Sequence, residues 1–535
     1  MVLFIGVYCI YVIYRSVEAM HMLQQNLYNE NNRYIRWIFK NFKRVFSFID
    51  FLPIVFFLLI YILDDNHILD LVLIASMFVY LFGIVNEYRI NKERENKIPL
   101  KATGRIKRLF LTLLVIYGIS IYFTIISPTD FLTGRMLILL SLLLGFVYFV
   151  VYFASVLDTP LNKLEYYFYL SKAKKKLKEK KNLEVIGITG SYGKTSSKNI
   201  LNEILSSKYI TKATPKNYNT PYGLMITINN YLDKFDEVLI AEMGAYVRGD
   251  IKKLCDFVHP KYGILTIIGE SHLETFGTQE NIQKTKFELI ENLPSDGVAI
   301  LNMDDEYQVN YPLKNKVLVK WIAINNKKAD VYATNVKCGS FGMSFDCHYN
   351  KGEKIRLKTC LLGSYNIYNI LASVALGLHM GIDINDIKDS VAAIKSAEHR
   401  LELKKIGDMY MLDDAYNSNP VGASGALDVL KSMNGTRVVV TPGMVELGKV
   451  EKEKNYEFGK KIVEAADYVI LIGEAQTKII YKALIDNNFN SDNIFVLEKV
   501  VDAYAVISAL KEDGVDIYAL FENDLPDMYM KEKRK

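Results

Sequence analysis

Residues 185–197, VIGITGSYGKTSS, open with a β-branched apolar run and close with glycines, a lysine and hydroxyl side chains. This order predicts a buried strand, then a glycine-rich turn, then the start of a helix. Such a turn presents backbone N–H groups and a helix N-terminus to an anion. Lys194 is placed to reach the outer phosphates of a nucleotide, and the Thr195 hydroxyl to ligate Mg²⁺. The stretch therefore predicts a phosphate-binding loop in an α/β domain.

The predicted nucleotide contacts extend over the whole loop. They comprise Thr189, Gly190, Ser191, Tyr192, Gly193, Lys194, Thr195 and Ser196. The general P-loop pattern has a further glycine at the position where this chain has Ile188. A purely structural loop is therefore the alternative, although Gly-Lys-Thr directly after a strand favours phosphate binding.

Short hydrophobic runs alternate with helical patterns from residue 183 onward. Predicted strands cover residues 185–188, 237–241, 262–268 and 298–302, and predicted helices such as 196–207 and 282–292 fall between them. This alternation predicts an α/β fold with a mostly parallel sheet and helices on both faces. Ligand-binding groups are then expected at the carboxyl ends of the strands.

Candidate metal ligands follow these strand ends. Glu242 lies in EVLIAEMG, His272 follows LTIIGES, and Lys286 lies in IQKTKFE. A carboxylate and an imidazole near a triphosphate are suited to binding Mg²⁺. The structural alternatives are a helix cap for Glu242, a structural histidine, and a surface lysine.

The hydrophobic excess of the chain lies before residue 158. Residues 45–63, 68–85, 109–127 and 136–157 are each about long enough to span a bilayer as a helix. Residues 1–14 are a shorter fifth candidate, with a signal peptide as the alternative. Asp50 is expected to be an interfacial residue, and a buried functional carboxylate is the alternative. We therefore predict an N-terminal helical transmembrane bundle.

Basic segments orient this bundle. Residues 33–44 and 89–108 are rich in lysine and arginine, which places both on the cytoplasmic side. Five crossings then put the N-terminus outside and everything after residue 157 in the cytoplasm, where ATP is. Residues 161–182, LNKLEYYFYLSKAKKKLKEKKN, interleave apolar residues with lysines. They predict an amphipathic helix lying on an anionic membrane face, with a solvated linker helix as the alternative.

Composition sets only broad limits. A chain of 535 residues allows two to four domains, and a net charge of +5 does not by itself indicate a nucleic-acid partner. The five cysteines are scattered without a CxxC pair, so neither a disulfide framework nor a zinc site is indicated.

Further segments carry a specific family resemblance. They are TGSYGKTS, AEMGAYVRGDI, GESHLETFGTQENIQKTKFE, LNMDDE and DDAYNSNP. Together they resemble the Mur ligases, above all the members that add D-Ala-D-Ala to a UDP-muramyl peptide. The resemblance covers about residues 183–520. It implies a P-loop ATPase domain, a smaller C-terminal α/β domain, and ATP and Mg²⁺ as cofactors.

The resemblance also implies residue roles. Catalytic roles fall to Lys194, His272 and Lys286, of which Lys286 is carbamylated by CO₂. Metal binding falls to Thr195, Glu242, His272 and Lys286. ATP binding falls to the loop residues together with Asn302, Asn369, Arg400 and Asp414. Substrate binding falls to Asn217, Asn219, Thr220, Tyr416, Asn417 and Asn419.

The implied reaction is ATP-dependent amide ligation between a muramyl-peptide carboxylate and a D-Ala-D-Ala-type amine. The predicted organisation is a transmembrane region over 1–160, a basic linker over 161–182, a central ATPase domain over 183–395 and a C-terminal domain over 396–535. Soluble family members begin with a UDP-binding domain, where this chain has apolar segments, so a lipid-linked or other cell-envelope carboxylate is the alternative substrate. A nucleotide-gated membrane protein is the alternative of another class, although the chain has no SGGQ segment.

Overall fold

The structure is a computed structural model that describes residues 1–63, 68–93, 99–127, 129–270, 273–350, 352–416, 418–445 and 447–524. Its residues fall into two compact units, Met1–Tyr167 and the chain from Phe168 onward. The first unit is helical and the second is α/β, as predicted.

The first unit consists of apolar helices together with the short basic helices Arg33–Lys40 and Phe42–Val45. They are α1 Val2–Gln25, α2 Arg33–Lys40, α3 Phe42–Val45, α4 Phe48–Leu63, α5 Ile68–Glu93, α6 Gly104–Ile125, α7 Asp130–Gly145 and α8 Val147–Leu157, with α9 Thr159–Glu179 following. Side chains from several of these helices, among them Tyr8, Tyr80, Leu140 and Tyr148, are fully buried in a common core. The aliphatic and aromatic surface of this unit is therefore shared between a packed interior and an exposed apolar exterior.

Three helices of the described chain are long and apolar enough to cross a membrane: Val2–Gln25, Ile68–Ile90 and Gly104–Ile125. Residues 136–157 do not form the predicted single continuous helix, because α7 and α8 meet at an angle of 85°. The bent pair is a broken span or a re-entrant loop. At this break Phe146 packs edge-on against the rings of Phe46 and Phe51, 5.6 and 5.4 Å away. The short N-terminal candidate is in turn part of a 24-residue helix.

Polar side chains lie buried inside this apolar bundle. The Arg15 guanidinium donates to Glu87 at 3.0 Å, to Asp50 at 3.1 Å and to the Val45 carbonyl at 2.9 Å. The Tyr11 hydroxyl donates to the other oxygen of Asp50 at 2.5 Å. Asp50 is 0% exposed, so the expectation of an interfacial residue is wrong. Its charge is compensated inside the bundle, and the network ties α1 to α4 and α5.

We expect Arg15→Met to destabilise this unit by about 3 kcal/mol, because it leaves two buried carboxylates without their cation. The measurement is thermal unfolding of the full chain in detergent. The matched control is Lys40→Met on the exposed end of α2, which should leave the melting temperature unchanged. Equal melting temperatures for Arg15→Met and the control would show that the network does not hold the helices together.

The second unit begins with a mixed sheet of β1 Glu184–Thr189, β2 Thr211–Ala213, β3 Val238–Glu242, β4 Tyr262–Leu265, β5 Val298–Asn302, β6 Leu318–Ala323, β7 Val331–Gly339, β8 Gly342–Tyr349 and β9 Glu353–Thr359. Its spatial order is β2-β3-β1-β4-β5-β6-β7-β8-β9. Pairing is parallel from β2 to β7 and antiparallel from β7 to β9. The predicted parallel sheet is confirmed, and the antiparallel β7–β9 extension is an addition to it.

Helices cover this sheet. They are α10 Lys194–Leu205, α11 Pro221–Ile226, α12 Asp250–Val258, α13 Leu273–Phe276, α14 Gln279–Glu291, α15 Glu306–Val309, α16 Tyr365–His379 and α17 Ile384–Ala393. Ile200 and Ile204 of α10 and Ile370 of α16 are buried in one core with the β-branched residues of the central strands. The register pairs Ile188 of β1 with Glu242 of β3. The loop that follows β1 therefore starts beside this carboxylate.

A second, smaller sheet follows. Its strands are β10 Glu402–Ile406, β11 Met409–Asp414, β12 Thr436–Thr441, β13 Tyr468–Ile472, β14 Ile494–Leu497 and β15 Ile517–Glu522, in the order β10-β11-β15-β12-β13-β14. The helices α18 Pro420–Lys431, α19 Glu451–Ala465, α20 Glu474–Asp486 and α21 Val500–Ala509 accompany it. The register places Asp414 beside Glu522, where β11 and β15 end. This sheet confirms the predicted smaller C-terminal α/β part.

Candidate active site

The predicted phosphate loop lies between the end of β1 at Thr189 and the start of α10 at Lys194. Gly193 precedes the helix with φ +79°, a left-handed conformation that glycine adopts without strain. A Cβ on Gly190 would lie 1.9 Å from the Thr266 hydroxyl oxygen, so a side chain does not fit there. The two glycines thus allow the tight turn that the sequence predicted.

Neighbouring backbone holds the loop in shape. The Ser191 N–H donates to the Ile267 carbonyl at 2.7 Å, and the Ser191 hydroxyl donates to the Gly269 carbonyl at 2.9 Å. The Thr266 hydroxyl donates to the Tyr192 carbonyl at 2.5 Å. These bonds fix the loop to the segment after β4, so its donor groups are preorganised.

Lys194 folds back over this loop. Its ammonium donates to the carbonyls of Gly190 at 2.7 Å and Ser191 at 3.1 Å. Desolvation lowers the pKa of Lys194 to about 8, and the positive charge of Arg400 acts in the same direction. An anion in the loop would restore the favourable environment for the charged amine.

Glu242 is the buried carboxylate beside the loop, and it is 1% exposed. The Thr195 hydroxyl lies 3.2 and 3.1 Å from its two oxygens. The Asn219 amide donates to Oε1 at 3.1 Å, and the Lys198 ammonium donates to Oε2 at 3.0 Å. A hydroxyl and a carboxylate side by side are the oxygen donors that Mg²⁺ prefers.

Lys286 comes from α14 and is 1% exposed. Burial lowers its pKa well below the ordinary value, and the charge of Lys194 adds to this effect. Its nitrogen lies 5.8 Å from the centre of the Phe276 ring. Burial therefore disfavours the charged ammonium relative to the neutral amine, and a neutral amine is the form that acts as a nucleophile.

These groups line one cavity of about 240 Å³. Its lining includes most of the predicted site residues: Ser191, Tyr192, Gly193, Lys194, Thr195, Ser196, Asn217, Asn219, Glu242, Lys286, Asn302, Asn369, Arg400, Asp414, Tyr416 and Asn419. The structure thus brings together residues that lie more than 200 positions apart in the chain.

Residues near the start of the smaller sheet form the far wall of the cavity. The Arg400 guanidinium lies 4.2 Å above the centre of the Tyr416 ring. Asp414 accepts a hydrogen bond from the Leu401 N–H at 3.1 Å. Burial raises the pKa of Asp414 to about 6, while the charge of Arg400 opposes this rise. A cation and a carboxylate are therefore available to a ligand from this side.

Other predicted residues lie elsewhere. The buried Thr189 hydroxyl donates to the Met243 carbonyl at 2.9 Å, and Gly190 contributes its carbonyl to Lys194. The Thr220 hydroxyl caps α11 by accepting from the Gly223 N–H at 3.2 Å. His272 and Asn417 lie outside the described residues.

The donor set for a metal ion is mixed in type. Among the described residues, no group of three or more His, Cys, Asp or Glu side chains is placed to hold a metal. Of the predicted ligands, Thr195 and Glu242 are adjacent and Lys286 lines the same cavity. These residues fit Mg²⁺ if Lys286 supplies an oxygen, which its carbamate would do.

The sequence analysis missed Lys198. This lysine is 2% exposed and binds Glu242 on the face of α10 that also carries the buried residues Leu201 and Leu205. A lysine within an apolar helical stripe is the signal that would have identified it, because a buried ammonium needs a partner.

Comparison with known proteins places these residues in a family. The Mur ligase middle domain matches residues 188–377, and the Mur ligase glutamate ligase domain matches residues 399–519. The two matches together cover more than half of the chain and contain the described cavity residues.

The chain belongs to the Mur ligase family.

Mur ligases are ATP-dependent ligases. The chain is 29% identical over 335 residues to the UDP-N-acetylmuramoyl-tripeptide–D-alanyl-D-alanine ligase of Bacillus subtilis, covering 62% of this chain and 70% of that enzyme. It is 31% identical over 293 residues to the Escherichia coli enzyme of the same name, covering 54% of this chain and 64% of that enzyme. The MurF ligase structure of Thermotoga maritima in complex with ADP matches with a TM-score of 0.59 and 25% identity, over 67% of this chain and 80% of that one.

The depressed pKa of Lys286 predicts a pH-dependent effect of Lys286→Met on stability. An unfolded lysine keeps its ordinary pKa of 10.5, whereas the folded one does not. As the pH falls below 10.5, Lys286 binds a proton in the unfolded wild type but not yet in the folded protein. Proton binding therefore favours the unfolded state, and the free energy of unfolding of the wild type decreases. Each tenfold difference in proton affinity contributes about 1.4 kcal/mol. Lys286→Met should therefore melt higher than wild type, and by more at pH 7 than at pH 10.

The measurement is thermal unfolding in CO₂-free buffer across this pH range. Lys284→Met is the matched control on the same helix, where the lysine side chain is 42% exposed. A Lys286→Met difference that stays constant with pH, or shrinks towards pH 7, would contradict the depressed pKa.

Proposed function

We propose that this protein is an ATP-dependent carboxylate–amine ligase that joins a D-Ala-D-Ala-type dipeptide to a muramyl-peptide carboxylate. The supporting observation is one cavity where Lys194, the Thr195–Glu242 pair and Lys286 face Arg400 and Asp414. A phosphate loop alone would support nucleotide hydrolysis. A reaction that also uses a carboxylate and an amine needs further polar groups to bind and orient these two substrates. The wall with Arg400 and Asp414 provides such groups.

The proposed chemistry has two steps. A carboxylate oxygen of the first substrate attacks the γ-phosphorus of ATP, the bond to the ADP oxygen breaks, and an acyl phosphate forms. The nitrogen of the incoming amine then attacks the acyl carbon, the carbon–oxygen bond to phosphate breaks, and the amine loses a proton. Amide, ADP and inorganic phosphate are the products.

The residues of the loop stabilise the transferred group. Lys194 carries its charge at the loop, and the backbone N–H groups that open α10 point the same way. Arg400 adds positive charge from the opposite wall, where Tyr416 holds its guanidinium by stacking. We assign the substrates to the space between Asn217 and Asn219 on one side and Tyr416 and Asn419 on the other.

The magnesium site is proposed at Thr195, Glu242 and Lys286, together with His272. When bound, Mg²⁺ would offset the negative charge that develops on the phosphoryl oxygens. Lys286 contributes an oxygen ligand once its neutral amine adds to CO₂, forming a carbamate and releasing one proton. The burial of this amine and the lowering of its pKa support that reaction.

The acceptor substrate has an alternative that the structure of the N-terminal unit favours. The family match begins at residue 188, and the chain ahead of it holds three helices long enough to span a membrane. We propose that these helices anchor the protein in the cell membrane with its ligase part in the cytoplasm. A membrane-anchored ligase would then meet a lipid-linked carboxylate at the surface of the same membrane.

The direct test is mass spectrometry of products formed by the detergent-purified full chain. The reactions contain ATP, D-Ala-D-Ala and either UDP-MurNAc-tripeptide or its lipid-linked counterpart. Formation of a condensed product in one reaction identifies the acceptor. ATP hydrolysis that needs neither carboxylate nor amine, with no condensed product, would contradict the ligase proposal and favour a nucleotide-gated membrane protein.

We expect Lys194→Ala to lower the rate of ligation by about 10²- to 10³-fold, the effect of removing one preorganised donor to developing charge. Circular dichroism should show an unchanged fold, because the Lys194 amine bonds only loop carbonyls. Lys208→Ala is the control, since this lysine also donates to a backbone carbonyl but lies outside the cavity. Activity of Lys194→Ala within a few-fold of wild type would refute the phosphate-loop assignment.

We expect Lys286→Ala to be nearly inactive and partly rescued by acetate. The reason is that acetate can supply the oxygen ligand that the carbamate provides, in the space left by the side chain. Rescue should weaken with a bulky carboxylate such as pivalate. The control, Lys284→Ala, should retain activity without any added anion. Near-normal activity of Lys286→Ala in anion-free buffer would rule out the carbamate.

A further inference from the structure

Lys198 is a buried cation outside the cavity. It lies one helical turn after Lys194 on α10, is 2% exposed, and is not among the residues that line the cavity. Its ammonium donates to Glu242 Oε2 at 3.0 Å and to the Lys216 carbonyl at 2.5 Å. Lys194, by contrast, bonds only carbonyls of the phosphate loop. The two lysines therefore serve different partners.

The position of Lys198 is unfavourable apart from these partners. A cation in the early turns of a helix opposes the helix dipole, and a buried ammonium loses its hydration. The carboxylate of Glu242 compensates both effects. The pair is a specific arrangement, because either residue alone would be an uncompensated buried charge.

Lys198 also fixes how the carboxylate is turned. It occupies Oε2 of Glu242, while the Asn219 amide occupies Oε1 at 3.1 Å. Thr195 is left about midway between the two oxygens. With a donor on each oxygen, the carboxylate plane cannot rotate freely. The orientation of the carboxylate relative to Thr195 and the cavity is therefore fixed.

The second partner of Lys198 belongs to the segment 214–220, which contains the proposed substrate residues Asn217 and Asn219. Lys216 has φ +47°, a left-handed conformation that is strained for a lysine. The Glu242 N–H donates to the Thr214 hydroxyl at 3.2 Å, so the same carboxylate residue anchors the start of this segment. Lys198 thus links the backbone of Lys216, where the segment is strained, to the Glu242 carboxylate beside the phosphate loop.

We propose that Lys198 is a positioning residue that sets the orientation of Glu242 and pins residues 214–220, so that the nucleotide side and the carboxylate-substrate side of the cavity are assembled together. This inference rests on the proposed ligase function for the identity of the two ligands. The contacts that carry it involve the protein alone.

The test uses Lys198→Met in the full chain in detergent, with Lys208→Met as the matched control. Lys208 donates to the Gly381 carbonyl at 2.7 Å and has no bond to Glu242. Hydrogen exchange of the amides in 214–220 should rise at least tenfold in Lys198→Met and stay at the wild-type level in the control. The Kd of a Mg²⁺–ATP analogue should rise at least tenfold, and KM for the carboxylate substrate should rise more than kcat falls.

A double variant, Lys198→Met with Glu242→Gln, removes both buried charges. It keeps the inference testable if Lys198→Met alone does not fold. It should recover the melting temperature while the amides of 214–220 still exchange rapidly, because the Lys216 carbonyl still lacks its donor. Exchange within twofold of wild type in the folded variants, with unchanged nucleotide affinity, would overturn the inference. A wild type that binds no Mg²⁺–ATP analogue would instead count against the proposed function, since the exchange result does not depend on a nucleotide.

Discussion

The carboxylate of Glu242 is the point on which the cavity depends. It ends β3 at the carboxyl edge of the central sheet, directly beside the strand that leads into the phosphate loop. Thr195 from α10 and Asn219 from the segment after β2 both bond to it. A buried negative charge is tolerated only where such donors surround it. The sheet edge, the start of α10 and the segment 214–220 are therefore held together by one residue.

Three lysines lie in or beside the cavity, and they differ in how their charge is compensated. Burial lowers the pKa of both Lys194 and Lys286, so an anion bound beside them would stabilise their charged forms. Lys198 differs because it is paired with Glu242. An unpaired lysine near a phosphate loop is poised for a ligand, whereas the paired one supports the architecture. We propose that this difference separates residues that act on a substrate from residues that position others.

Much of this arrangement could be predicted from local sequence. The β-branched run before TGSYGKTS gave the first strand, and the alternation of short apolar runs with helical patterns gave the parallel sheet. The end of a predicted strand then indicated Glu242, and the family resemblance indicated Lys286. Periodicity could not show that the chain brings Arg400 and Asp414 to the same cavity, because that depends on tertiary packing. Lys198 escaped notice because its partner lies 44 positions away.

The N-terminal unit shows where sequence patterns fail. A run of apolar residues predicted one straight crossing, but the aromatic cluster around Phe146 accompanies a bend of 85° between two shorter helices. Asp50 looked interfacial because it stands near a basic segment, yet Arg15 and Tyr11 bury it. Hydropathy measures composition along the chain and contains no information on which side chains meet across helices.

We propose that this cavity couples ATP cleavage to amide formation through an acyl phosphate. The most direct measurement uses a carboxylate substrate labelled with ¹⁸O in its carboxyl group, with ATP, the amine and the detergent-purified full chain. The attacking oxygen stays with phosphorus when the amine displaces phosphate, so the account predicts one ¹⁸O atom in each inorganic phosphate released, detected by mass spectrometry. Release of unlabelled phosphate together with amide formation would contradict the acyl phosphate, because it would show that no carboxylate oxygen had bonded to the γ-phosphorus.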